Sequence, residues 1–107
     1  MSSKKFTVEI LELAQKELEN IALLHLSLVG PASAKKITDK IYKSLERLES
    51  QPFSGPLVND PVLASEGYRF VVTDNYLSIY RVFDQHVVIY HIFDGRTDYP
   101  NLFYINP

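Results

Sequence analysis

Three arginines, several tyrosines and one histidine crowd the second half of this 107-residue chain, around Tyr68-Arg69, Tyr80-Arg81, His91, Arg96 and Asp98-Tyr99, with Glu66 just ahead of them. A guanidinium stays charged at physiological pH, and its fork matches two phosphate oxygens. Tyrosine stacks on a base or moves a proton, and histidine titrates near neutrality. Together such groups could cleave RNA by letting a neighbouring 2′-hydroxyl attack phosphorus. Arginines would stabilise the transition-state charge, and Tyr or His would handle protons. The same residues have a plainer reading, in which the arginines pair with Glu66 or nearby aspartates and the tyrosines sit half-buried on a sheet.

Other chemistries find no support. The chain has no glycine-rich phosphate loop, no G-x-S-x-G elbow and no H-E-x-x-H helix. His25, His86 and His91 lack metal-ligand spacing, and the absence of cysteine removes thiolate sites and disulfides. No metal or cofactor is expected. His91 and Asp94 stand at odd separation on one strand, which puts them on opposite faces.

The elements that position these residues follow from periodicity. Phe6, Val8 and Ile10 alternate with polar neighbours as in a half-buried strand. From about Leu11 the spacing turns helical, with Leu11, Ala14, Leu18, Ile21, Ala22, His25 and Leu28 on one stripe. Gly30-Pro31 closes that helix and opens a second, with Ala34, Ile37, Ile41, Leu45 and Leu48 inward and Lys35, Lys36, Lys40, Lys43 and Arg47 outward. Glu12, Glu17 and Glu19 on the first helix oppose that basic field. Residues 51–65 read as a packed loop. Three strands follow, at Tyr68–Val72, Tyr76–Phe83 and Val87–Phe93, joined by short turns and therefore antiparallel. In the middle strand Leu77 and Ile79 suggest a core face that would include Arg81; Tyr76, Ser78, Tyr80 and Val82 form the other.

The expectation is an α+β domain spanning residues 1–107: an N-terminal strand at the sheet edge, an antiparallel helix hairpin and a three-stranded antiparallel meander packed on the helices. Hydrophobic residues make up 46% of the chain and charged residues 22%, enough for a self-sufficient core. Met1–Lys5 leads into alternating residues, unlike a signal peptide, and apolar stretches fall short of the ~20 residues of a membrane span, so the cytoplasm is the expected compartment. Net charge is −2, and eight of the eleven Lys and Arg residues precede Ser50. Nucleic-acid contact would therefore rest on local patches.

Gly67-Tyr68-Arg69, Asn75-Tyr76-Leu77-Ser78-Ile79-Tyr80-Arg81 and His91–Tyr99 closely resemble elements of the RelE/ParE toxin superfamily. Ala34-Lys35-Lys36-Ile37 and the Leu48, Pro52 and Gly55 passage extend the resemblance over nearly the whole chain. It implies a RelE-like fold and the toxin of a type II toxin–antitoxin pair, neutralised by a small antitoxin encoded beside it. RelE-like members are endoribonucleases that cut mRNA on the ribosome, the activity the resemblance favours here. ParE-like members instead poison DNA gyrase, which is the alternative. By resemblance, Arg69 and Arg81 would contact the scissile phosphate, His91 or Tyr99 would be the acid or base, and Arg96 would support the leaving group or bind backbone phosphate. The chain departs from the nuclease pattern in having no lysine between Pro52 and Pro107 and in being acidic. Both features leave the gyrase target open.

Overall fold

The computed structural model describes residues 5–100 and Phe103. The expectations for Met1–Lys4 and, in the tail to Tyr104, for Asn101, Leu102 and Tyr104 lie outside the described residues.

β1 (Thr7–Ile10) leads into α1 (Glu12–Leu28), whose Ala14, Leu18 and Ile21 are buried. The amides of Val29 and Gly30 both donate to the His25 carbonyl, and Gly30 turns at φ 139°, a conformation that disfavours a side chain. Pro31 then opens α2 (Pro31–Glu46), where its fixed φ suits a first turn with no amide partner. Ile37, Ile41 and Leu45 face inward, and a 3₁₀ turn at Arg47–Glu49 buries Leu48.

The remaining strands are β2 (Arg69–Thr73), β3 (Tyr76–Phe83) and β4 (His86–Asp94), in the sheet order β1-β4-β3-β2. β2–β3 and β3–β4 are antiparallel hairpins closed by two-residue turns. Asp74 (φ 53°) and Asp84 (φ 51°) enter the left-handed region there, which aspartate tolerates better than most residues. β1 pairs with β4 in parallel, Thr7 opposite His86 through Ile10 opposite Ile89. Such a pairing needs a long connection, and the helices supply it.

Both faces of the sheet are covered. On one face Tyr76, Tyr80, Val87, Ile89 and Ile92 pack on Ala14, Leu18, Ile21, Ile37, Ile41 and Leu45 of the helices. On the other, Ile79 and Phe93 pack with Val58, Leu63 and Tyr68, joined by Leu77, Phe70, Tyr90, Tyr99 and Phe103. Leu77 and Ile79 are thus inward residues of a second core, while the helices bury the alternative set. Tyr80 is fully buried. The expected loop contains a short helix, α3 (Pro61–Ser65), capped by Asp60 Oδ1, which accepts from the Leu63 amide at 3.0 Å. Leu28, expected on the inner stripe of α1, is the last residue of the helix and is exposed.

Candidate functional site

Arg81 leaves β3 on the face opposite the helices. Its guanidinium carbon lies 4.9 Å from the centroid of the Tyr68 ring and 4.4 Å from that of Phe83. This clamp holds the charge by cation–π attraction and keeps the fork from folding back onto a carboxylate. Tyr68 in turn meets Tyr90 and Phe103 edge-on at 5.2 and 4.9 Å. Burial raises the Tyr68 hydroxyl pKa, with Tyr90 adding to it and a hydrogen bond from Arg81 offsetting part of the rise.

Arg69 lies on the other face. It stands opposite Tyr80 in the β2–β3 register, and neighbours along a strand point to opposite sides, so Arg69 and Arg81 are divided by the sheet. Its Nη1 donates to the Gly55 carbonyl at 2.8 Å and to the Phe53 carbonyl at 3.4 Å, and its guanidinium lies 5.2 Å from the Phe53 ring. The Gly55 amide donates to the Tyr80 hydroxyl at 3.0 Å. A β-carbon at Gly55 would fall 2.3 Å from the Phe70 carbonyl oxygen, so only glycine allows the loop this close. Burial raises the Tyr80 pKa, and the Gly55 amide and Arg69 work against that rise. Among the described residues neither Arg69 nor Arg81 forms an ion pair.

His91 is buried where β1 has ended and the β4 edge is bare. Glu17 reaches over from α1: its carboxylate lies 3.2 Å from His91 Nδ1 and accepts the Ile92 amide at 3.0 Å. An edge amide in an apolar setting needs such an acceptor. Glu17 is therefore turned to the sheet rather than part of the solvent-facing acidic set. One extra residue in β4, Tyr90, interrupts the register between Ile79 opposite His91 and Tyr80 opposite Ile89.

Tyr99 stacks on Phe93 at 5.9 Å, and its hydroxyl accepts the Asp60 amide at 3.3 Å. Arg96 is exposed and binds Asp94 two-pronged, with Nε to Oδ1 and Nη2 to Oδ2 both 3.0 Å. That side-chain contact, with the Arg96 amide, draws the Asp94 pKa down to about 2 and raises that of Arg96.

Of the five residues expected to carry chemistry, Arg81, His91 and Tyr99 share the face opposite the helices, strung along Tyr68, Phe103 and Phe93. Arg69 is on the far side and Arg96 in the exposed turn after β4. Phe83, Glu17 and Gly55 escaped the sequence reading. Gly55 figured only in the passage that carries the family resemblance, and Glu17 left a trace as a carboxylate between Ala14, Leu18 and Ile21 of the inner stripe.

A model of the ParE toxin of the type II toxin–antitoxin system parDE matches residues 8–99. The chain belongs to this family. The toxin is thus a type II toxin–antitoxin toxin of the RelE/ParE superfamily. Its fold matches that of a chain described as the chromosomal ParDE system from P. aeruginosa, with a TM-score of 0.72 and 20% identity over 86% of the toxin and 98% of that chain. A chain of the RelBE2 toxin–antitoxin complex from Mycobacterium tuberculosis gives 0.62 and 20%, covering 84% of the toxin and 98% of its own length. A mutant of the E. coli toxin RelE in the free state gives 0.63 and 14%, covering 96% and 99%. No curated protein matches the sequence. Among the described residues no helix is long and apolar enough to cross a membrane.

Proposed function

We propose that this toxin acts in the ParE manner, by binding and poisoning DNA gyrase in the cytoplasm, and that a cognate antitoxin encoded beside it neutralises it. The observation that supports this reading is the division of Arg69 from Arg81 by the sheet. Phosphodiester cleavage by two arginines needs both forks on one phosphate and an acid or base within about 3 Å of the reacting oxygen. Arg69 instead holds the loop at Phe53 and Gly55, His91 is engaged by Glu17, and the Tyr99 hydroxyl holds Asp60. Arg81, clamped between two rings, is the member of the set suited to contact a macromolecular surface, since arginine and aromatic side chains concentrate binding energy. The acidic net charge agrees with a protein target better than with ribosomal RNA.

The test is a supercoiling reaction with purified gyrase. Addition of the toxin is expected to stop supercoiling and trap cleaved DNA, and prior addition of the antitoxin is expected to restore it. Undisturbed supercoiling together with cutting of ribosome-bound mRNA would overturn the proposal and return Arg69, Arg81, His91, Arg96 and Tyr99 to a nuclease site.

A further inference from the structure

β4 departs from regular alternation at one point, and the departure falls beside Arg81. Ile79 stands opposite His91 and Tyr80 opposite Ile89, which leaves Tyr90 as an extra residue in the strand. Ile89 is buried against the helices, whereas Tyr90 and the next residue, His91, both turn to the other face. A regular strand would send those two neighbours to opposite sides, and the bulge puts both on one. It brings the Tyr90 ring edge-on to that of Tyr68, with 5.2 Å between centroids. Tyr68 already takes a hydrogen bond from Arg81, and Tyr90 lies close enough to act on the Tyr68 hydroxyl electrostatically. Among the described residues the Tyr90 hydroxyl has no hydrogen-bond partner. The contacts of Arg81 with the Tyr68 and Phe83 rings hold its charge and leave most of its N–H donors unused. Phe83, 40% exposed, adds an apolar rim.

We propose that Arg81, with the Tyr68 and Tyr90 hydroxyls, receives a single carboxylate side chain of the protein target, and that Tyr90 is a specificity residue of this contact. The proposal rests on the gyrase-binding reading and adds the chemistry of the group that is bound. The charge available selects that group. The chain has no lysine after Pro52, Arg69 lies across the sheet and Arg96 is held by Asp94. One guanidinium fork with hydroxyl donors beside it suits the one charge and two oxygens of a carboxylate. A nucleic-acid backbone brings a charge at every phosphate and calls for several cations. Glu66, an exposed carboxylate, acts on Tyr68 but forms no ion pair among the described residues. It therefore weakly repels an incoming anion, which gives the test a sign.

The experiment measures binding of the full-length toxin to purified gyrase. Tyr90→Phe, which removes only the unpartnered hydroxyl, is expected to keep the melting temperature and to bind about tenfold more weakly. Arg81→Lys keeps the charge without the fork and should weaken binding at least as much. Glu66→Gln should strengthen it about twofold. Leu23→Gln, at an exposed position of α1 across the sheet, should leave it unchanged. Equal binding by wild type and Tyr90→Phe, or weaker binding by Glu66→Gln, would overturn the proposal and leave the gyrase reading standing. If wild type does not bind gyrase, that reading fails, and sodium acetate titrated into isotope-labelled toxin decides the site. Chemical-shift changes at Arg81 Nε that Tyr90→Phe weakens support it. No change there, or a stronger response to inorganic phosphate than to acetate, overturns it.

Discussion

Arg69→Ala and Arg81→Ala should separate structure from function. Arg69 gives one good and one long hydrogen bond to the carbonyls of Gly55 and Phe53, and covers the Phe53 ring. A hydrogen bond from a charged donor contributes about 1.5–3 kcal/mol, and a partly exposed cation–π contact about 0.5–1 kcal/mol. Solvent access to the guanidinium argues for the lower end, so Arg69→Ala is expected to cost about 2 kcal/mol. For a domain of this size that lowers the melting temperature by roughly 8–16 °C. Arg81→Ala loses two ring contacts and the partly exposed contact of the guanidinium with the Tyr68 hydroxyl, together about 1 kcal/mol and roughly 4–8 °C. Thermal denaturation followed by circular dichroism gives both shifts, and growth arrest on induction, at a temperature where both variants are folded, gives toxicity. Arg81→Ala is expected to be folded and inactive, Arg69→Ala less stable and still toxic. An Arg69→Ala variant as stable as wild type and non-toxic would refute the reasoning, because it would place Arg69 in the functional contact.

Three further outcomes follow from individual contacts. Glu17→Ala leaves the Ile92 amide and His91 without their acceptor and should cost about 1–3 kcal/mol, with faster hydrogen exchange at Ile92; unchanged exchange there would contradict the edge cap. Tyr80→Phe orphans the Gly55 amide at the same order of cost, visible as a lower denaturant midpoint at constant slope; an unmoved midpoint would mean that the amide needs no such partner. Asp94, held by Arg96, should titrate near pH 2 by NMR, and Arg96→Ala should return it toward 3.8. Because its folded pKa is depressed, what this contact adds to stability is present above about pH 3.8 and is lost as pH falls toward 2. A midpoint near 3.8 in the wild type would show the pair to be open in solution.

Much of the fold was legible because it is local. Ala14, Leu18 and Ile21, then Ile37, Ile41 and Leu45, declare two helices by spacing, and turns at Asp74-Asn75 and Asp84-Gln85 fix two hairpins. What stayed hidden depends on contacts distant in sequence. The five residues of α3 are too few for a period to appear, and their helix rests on Pro61 and the Asp60 cap. Strand alternation in β3 offered two faces and could not say that both are buried, since the second cover comes from Val58, Leu63 and Ala64 and from Tyr99 and Phe103 of the tail. The site shows the same limit most clearly. Tyr68-Arg69 and Tyr80-Arg81 look equivalent in sequence, yet the register sets Arg69 opposite Tyr80, not Arg81, and sends the two guanidinium groups apart. Glu17 resembled any surface glutamate of α1 until the end of β1 exposed an amide for it to cap.

The central claim, a gyrase-directed toxin without nuclease chemistry, is tested most directly by inducing it in cells and following DNA and mRNA in the same culture. Gyrase-trapped double-strand breaks and an SOS response, with ribosome-bound mRNA intact, are the predicted result. Cleaved mRNA on ribosomes with no gyrase-linked DNA breaks would contradict it.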